Sequence, residues 1–312
     1  MTRVADRLLI AGVGLIGASL GLALRERGAV GEIVGLGRSA ANLAVAKRRG
    51  AIDRSERDPA RACRDVDFVV VAAPVGTIAP LIAILARTLP ADAVITDAGS
   101  VKGSVVAAVE HVLGKTARRF CGSHPIAGTE RAGAGAAERD LLRGRRCILT
   151  PTATTAPATR RRVRALWTAA GMVVEPLPAA HHDHLYALVS HLPQTVATAL
   201  VNAVVDAEPR GRALAYAGGG FRDTTRIAKS QAPMWRDILL ANRESVLAAL
   251  DRFTIAYDRL RDAIAKGDGA AIEAEMTRAA QARRRIDPSP PAAPVKRGAA
   301  ARRRTTAKRG RA

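Results

Sequence analysis

Aromatic side chains make up only 3% of this 312-residue chain, so its core has to be assembled from Ala, Val, Leu and Ile. Their scarcity also leaves no arginine-flanked aromatic platform of the kind that stacks nucleic-acid bases. Cysteine is nearly absent. Cys63, Cys121 and Cys147 are too few and too widely spaced for a disulfide scaffold or a structural zinc site. Free thiols in a reducing compartment, the cytoplasm, are the simpler expectation. No uninterrupted apolar segment reaches the roughly 18 residues of a membrane span, so no span is expected. The apolar run near the start contains a glycine-rich turn and leads into a patterned helix, which indicates a buried first strand rather than a cleaved leader.

What the chain does have is length, apolar residues and positive charge. Hydrophobic residues reach 48%, enough for one large domain or two ordinary ones. The formal net charge is +21, but the stretch from Asp287 to Ala312 carries eight Lys or Arg and one acid and so supplies +7 of it. Elsewhere the excess is scattered as single arginines among alanines, without zinc-finger spacing. A basic cleft for a small anionic molecule fits this distribution better than a nucleic-acid surface.

The first half alternates short apolar strands with helices. Strands are expected at Arg7–Ala11, Ile33–Leu36, Phe68–Ala72, Ala93–Asp97, Arg119–Gly122 and Cys147–Thr150, with a last one at Val173–Glu175. Helices fall between them, from Leu15 to Arg27, Ala40 to Arg49, Val75 to Arg87, Lys102 to Val112 and Ala156 to Ala170. This alternation specifies a mostly parallel sheet covered on both faces, built through right-handed crossovers.

Gly12-Val13-Gly14-Leu15-Ile16-Gly17 sits where a strand ends and a helix opens. In that context GxGxxG reads as a dinucleotide-binding turn. Gly12 permits the turn, Gly14 leaves room for a pyrophosphate, and Gly17 lets helix and strand approach. The unpaired amides at the helix start face the phosphates. Ala73 and Pro74, at the end of the Phe68–Ala72 strand, are placed beside this turn. At the end of the second strand, where an acid would hold a ribose diol, the chain reads Gly35-Leu36-Gly37-Arg38-Ser39. Arg38 and Ser39 suit a 2′-phosphate, which points to NADP over NAD; Ser39 is equally suited to cap the next helix.

Beyond Pro178 strand signals largely stop. His181–Ala207, Met234–Lys266 and Asp268–Arg285 carry long helical patterns, the first with a kink expected at Pro193. The division expected is therefore an α/β Rossmann-type domain over 1–177, an all-helical domain over 178–286, and a disordered basic tail over 287–312.

Ligands of parallel sheets lie beyond the carboxyl ends of strands. Ser100, in Asp97-Ala98-Gly99-Ser100-Val101-Lys102, and His124, in Gly122-Ser123-His124-Pro125, both fall there. A neutral imidazole on such a rim can accept a proton near neutral pH. Four of the six histidines, His181, His182, His184 and His191, cluster near one helix start. No HExxH accompanies them, and no metal is expected. Asp183 could orient an imidazole or cap the helix. Gly218 to Arg226 opens another helix with two guanidiniums, Arg222 and Arg226, suited to carboxylates.

GVGLIGASL, DAGSVKG, GSHPIAGTE, HDHLYALVSHLP, GFRDTTRIA and MWRDI follow one another in that order. Together they resemble the prephenate/arogenate dehydrogenase family of tyrosine biosynthesis, over roughly residues 7 to 285. The resemblance implies a nucleotide-binding domain and a helical dimerisation domain, hence a homodimer. It implies oxidation of prephenate to 4-hydroxyphenylpyruvate, or of arogenate to tyrosine, with loss of CO₂. His124 then matches the base that takes the ring-hydroxyl proton, and Ser100 a serine bonded to that hydroxyl and to the base. Arg226 matches the arginine for a substrate carboxylate. Arg222, Asp223 and Trp235 line or support the site, and His182, Ser190 and His191 lie beside the pocket.

Two departures stand out. Gln194 occupies the place where many prephenate-using members have histidine near the side-chain end of the substrate, and no acid stands at Gly37. The rival readings are a β-hydroxyacid or imine dehydrogenase, for which Lys229 would be the candidate acid or base, and a cofactor-binding regulatory protein without turnover.

Overall fold

The computed structural model describes residues 3–128, 131–208 and 210–286. The expected basic tail, 287–312, lies outside the described residues, as do Thr129 and Glu130 of the GSHPIAGTE segment.

The chain runs β1 (Ala5–Ala11), α1 (Leu15–Glu26), β2 (Val30–Leu36), α2 (Ala40–Arg48), β3 (Arg54–Glu56), α3 (Pro59–Ala62), β4 (Phe68–Val71), α4 (Val75–Leu85), β5 (Val94–Asp97) and α5 (Gly103–Leu113). It continues through β6 (Phe120–Pro125), β7 (Arg146–Thr150), α6 (Pro157–Ala169) and β8 (Val173–Pro176). These strands form one sheet in the order β3-β2-β1-β4-β5-β6-β7-β8. All neighbours pair in parallel except β6 and β7.

Alternation along the strands sends side chains to opposite faces. Leu8, Ile10, Phe68 and Val70 join Trp167 in one buried cluster, while Leu9, Val69, Val71 and Phe120 join Ile78 in another. With both faces covered, β4 is buried along its whole length. Each such side chain contributes about 1.5–3 kcal/mol by leaving water. From β1 the chain builds outward through β2 and β3, then returns to β4 on the opposite side. The carboxyl ends of β1 and β4 therefore flank the switch point of the sheet, which is where ligands of this architecture sit.

The remaining elements are helical: α7 (Ala179–Tyr186), α8 (Leu192–Ala207), α9 (Arg212–Ala215), α10 (Gly219–Thr225), α11 (Ala232–Ala241), α12 (Arg243–Ala265) and α13 (Gly269–Arg283). The expected bend in the first long helix is present but differs in kind. A π-turn at Ala187–His191 separates α7 from α8. Pro193 falls in the first turn of α8, where a missing N–H costs little. The single helix expected from Met234 to Lys266 is two, broken at Asn242, whose side chain is drawn into the interior. β3 and α3 escaped the sequence reading because Arg54-Ser55-Glu56 has no apolar pattern.

The continuous run Ala179–Ala207 has the length and mean hydropathy, 1.3, to cross a membrane. It also carries His182, Asp183, His191 and Gln194, all buried within the protein.

Candidate active site

The Gly-rich turn has the geometry its sequence demands. Gly12 has φ +99°, and a Cβ there would meet the Ala72 carbonyl oxygen at 2.3 Å. At Gly17 a Cβ would meet the Gly12 carbonyl oxygen at 2.2 Å, so helix and turn touch backbone to backbone. Gly14 is the opposite case: nothing lies within 4 Å of its would-be Cβ. The open side of Gly14 faces a cleft of about 530 Å³, lined by Gly12, Val13, Gly37, Arg38, Ser39, Asn42 and Gly133. That volume is within the usual range for a small-molecule site. Leu15 and Ile16 start α1, so their amides are among the unpaired donors at its positive end.

Arg38 and Ser39 are exposed on the cleft rim. Ser39 also caps α2, its Oγ accepting from the Asn42 amide at 3.2 Å, which leaves the hydroxyl proton free to donate outward. Asn42 was not foreseen. Its Nδ2 donates to the Val13 carbonyl at 2.7 Å and its Oδ1 accepts from the Ala134 amide at 2.9 Å, tying the turn to the Gly133 loop. Ala73 and Pro74 lie in the turn between β4 and α4, with Pro74 at the start of α4.

Two strands along the same edge, β5 and β6 end in the polar centre of the molecule. Asp97, Lys102 and Ser123 are fully buried there. The Lys102 ammonium is bonded to Asp97 Oδ2 and donates to the Ser123 carbonyl at 2.9 Å. Asp97 also accepts from the Gly99 amide at 2.8 Å and the Ser123 amide at 3.1 Å. Removing one partner of such a pair strands the other charge in the interior. Lys102→Met is accordingly expected to cost about 3–5 kcal/mol, read as a lower urea midpoint at unchanged slope; an unaltered midpoint would show Asp97 to be satisfied by backbone amides alone.

His124 is half-buried and lies within β6, opposite Ile148 of β7, not beyond the strand end as expected. Antiparallel pairing with β7 prolongs the strand to Pro125 and fixes the backbone of the histidine. Its Nδ1 lies 2.9 Å from Nε2 of His182. His182 Nδ1 in turn lies 2.8 Å from Asp183 Oδ1. Tyr186 packs against both rings, with centroids 4.9 Å from His124 and 4.4 Å from His182. Burial first, then the neighbouring His182, Lys102 and His191, hold the His124 pKa well below the usual imidazole value. The ring is therefore neutral at neutral pH.

This arrangement places two of the expected site residues. His182 is fully buried, with its ring against that of His124. Ser100 is half-buried in the turn after β5, and among the described residues it makes no hydrogen bond to His124. Asp183, beside His182 on α7, caps the start of α5. Lys102 and Gly103 donate their amides to its two oxygens at 2.8 and 2.7 Å.

His191 is also buried; its Nδ1 accepts from Asn242 Nδ2 at 3.1 Å, and its ring meets Trp235 edge-on at 5.9 Å. Asn242 Nδ2 donates as well to the Asp183 carbonyl at 2.9 Å, a junction that sequence reasoning missed. Gln194 is buried, with Oε1 lacking a partner among the described residues, as does the Trp235 indole N–H. Ser190 is half-buried on the π-turn. Arg222 and Asp223 on α10, and Arg226 at its end, are exposed on segments packed against α8. Lys229 is exposed in the turn that follows.

Comparison with known proteins agrees with this layout. Residues 20–175 match the model of the prephenate dehydrogenase nucleotide-binding domain, and residues 178–278 that of the prephenate dehydrogenase dimerization domain. The cyclohexadienyl dehydrogenase of Zymomonas mobilis is 35% identical, covering 85% of this chain and 91% of its own length. The prephenate dehydrogenase of Bacillus subtilis is 32% identical over 86% of this chain and 72% of its own. A crystal structure of prephenate dehydrogenase from A. aeolicus, in complex with hydroxyphenyl propionate and NAD+, superposes with a TM-score of 0.86 at 37% identity, covering 90% of this chain and 98% of that one. A dinucleotide turn at the switch point, a neutral histidine on the same sheet edge and a helical second half thus stand in one chain, and the chain belongs to the prephenate dehydrogenase family.

Proposed function

We propose that this protein oxidatively decarboxylates prephenate to 4-hydroxyphenylpyruvate, with hydride passing to NAD(P)+, as a cytoplasmic step of tyrosine formation. The observation that carries the reading is the neutral, half-buried imidazole of His124 at the same sheet edge as the Gly12–Gly17 turn. The turn fits a dinucleotide: Gly12 and Gly17 are closed to any side chain, while Gly14 is open toward the cleft. When bound there, the nicotinamide supplies the acceptor for hydride from C4 of the substrate ring.

In this scheme the chain positions and deprotonates. Gly12, Gly14, Leu15, Ile16 and Gly17 hold the phosphates through backbone amides, with Ala73 and Pro74 alongside. His124 takes the proton of the C4 hydroxyl, and as the oxygen lone pair forms the carbonyl the C4–H electron pair leaves as hydride to that acceptor. The electrons of the ring carboxylate bond then enter the ring as CO₂ departs, and the oxygen regains a proton to give the phenol. Arg226 pairs with a substrate carboxylate, with Arg222 and Asp223 beside it. Ser100 bonds the reacting hydroxyl once substrate is present. His191 and Ser190 shape the wall through the π-turn. We place the boundary between nucleotide-binding and helical units at 177/178, and the subunit contact of a homodimer on the helical unit. Exposed Leu247, Ile255, Tyr257, Ile264 and Met276 supply the apolar surface for that contact.

Arg38 and Ser39 at the rim, with no carboxylate at Gly37, favour NADP over NAD. A second substrate reading rests on Gln194. Its buried, unpartnered Oε1 is an acceptor, which suits the ammonium of arogenate better than the keto oxygen of prephenate. Steady-state rates for the four pairings of the two substrates with the two cofactors test all of this. Turnover of prephenate is expected, with Arg38→Ala raising KM for NADP and sparing that for NAD. No turnover in any pairing would overturn the assignment.

A further inference from the structure

Behind His124 lie two side chains that the proposed reaction does not use, His182 and Asp183. The Asp183 carboxylate accepts from the Lys102 and Gly103 amides at the start of α5 and is bonded to Nδ1 of His182.

We infer that His182 and Asp183 are positioning residues that hold His124 as its Nδ1–H tautomer and so present the bare Nε2 to the substrate hydroxyl. The inference rests on the reading of His124 as the base. An ionised carboxylate only accepts hydrogen bonds, so His182 must donate to Asp183 from Nδ1. In neutral His182 the proton is then spent, and Nε2 is an acceptor. That Nε2 faces His124 Nδ1 at 2.9 Å, so the shared proton belongs to His124. The lone pair of His124 is left on Nε2, the nitrogen that has no protein partner among the described residues.

The electrostatics agree with the geometry. Hydrogen bonds from His182, Lys102 and Gly103 hold the Asp183 pKa below its usual value although burial opposes them. Burial lowers the pKa of His182, against the pull of Asp183. Protonated His182 would donate from both nitrogens and force the opposite tautomer on His124, with its lone pair turned inward. The charged and titratable groups facing the pair are Lys102, Asp97, Asp183, His191 and Tyr186. Among these, only Asp183 bonds a ring nitrogen of His182.

Nitrogen-15 NMR of the full-length protein labelled at histidine, near neutral pH, tests the tautomer directly, with His124→Asn used to assign the signals. A protonated Nδ1 and an unprotonated Nε2 on His124 are expected; the reverse pattern overturns the inference without any variant having to fold. In kinetics, Asp183→Asn and His182→Leu are expected to lower kcat by about 10²–10⁴-fold, as loss of the correct tautomer does in other imidazole bases, with cofactor affinity retained. His182→Gln keeps an acceptor oxygen and should stay within about tenfold of the parent. Unchanged kcat and an unchanged nitrogen pattern in Asp183→Asn and His182→Leu would remove the relay while leaving His124 as base. Unchanged kcat in His124→Asn would instead remove the base itself.

Discussion

His124→Asn is expected to lower kcat by about 10²–10⁴-fold while the protein still folds and binds its cofactor. Asparagine is close to histidine in size and can still donate to His182, so the strand end and the groups behind it keep their places. What it lacks is a basic nitrogen. Cofactor affinity, read by fluorescence titration, should be unaltered because the Gly12–Gly17 turn lies on other strands. A variant that retains parental kcat would take His124 out of the reaction.

Acid should act on the same residue in a predictable direction. A base works unprotonated, and the His124 pKa lies well below that of an ordinary imidazole. The acid limb of kcat/KM is therefore expected below about pH 6.5, the usual imidazole value. Stability follows the same sign. His124, His182 and His191 are all lowered in the folded protein, His191 to about 4. Below about pH 6.5 the unfolded chain binds protons that the folded one refuses, so stability falls as pH falls. The depressed Asp183 adds to the loss at lower pH, because its contribution is present above its unfolded value and disappears as the carboxylate protonates.

The parts of this molecule that sequence disclosed are those specified locally. Gly12, Gly14 and Gly17 are separated by a few residues, and each is required by contacts within one strand, turn and helix. Phe68 to Val71 is short, apolar and flanked by turn residues, so a buried strand was readable there. The support of His124 was not readable. Lys102 and Asp183 stand 81 residues apart, and nothing in either segment announces that one caps the other's helix. Asn242 looked like one more residue of a continuous helix, yet its amide joins Asp183 and His191. The resemblance marked His182 as belonging to the site, but only the fold could show that it is fully buried with its ring against that of His124.

Alanine at Gly14 and alanine at Gly17 should fail in opposite ways, though each adds one methyl group to the same motif. Gly14 has φ −86° and empty space around its would-be Cβ, so the folded backbone accepts a side chain without strain. That empty space is where the pyrophosphate approaches in the proposed complex. Displacing it would cost a charge-assisted hydrogen bond to an amide, about 1.5–3 kcal/mol, which corresponds to about a 10- to 100-fold rise in cofactor Kd. The thermal midpoint of the cofactor-free protein should not move. At Gly17 the methyl would stand 2.2 Å from the Gly12 carbonyl oxygen and 2.9 Å from the Ile10 side chain. Helix α1 would have to move off β1, at a cost of about 1–3 kcal/mol or more, so Gly17→Ala is expected to lower the midpoint before any cofactor is added. Equal destabilisation by the two substitutions, with equal cofactor affinity in the folded fraction, would show that Gly14 is a structural turn residue and that the cleft beside it is not the phosphate site.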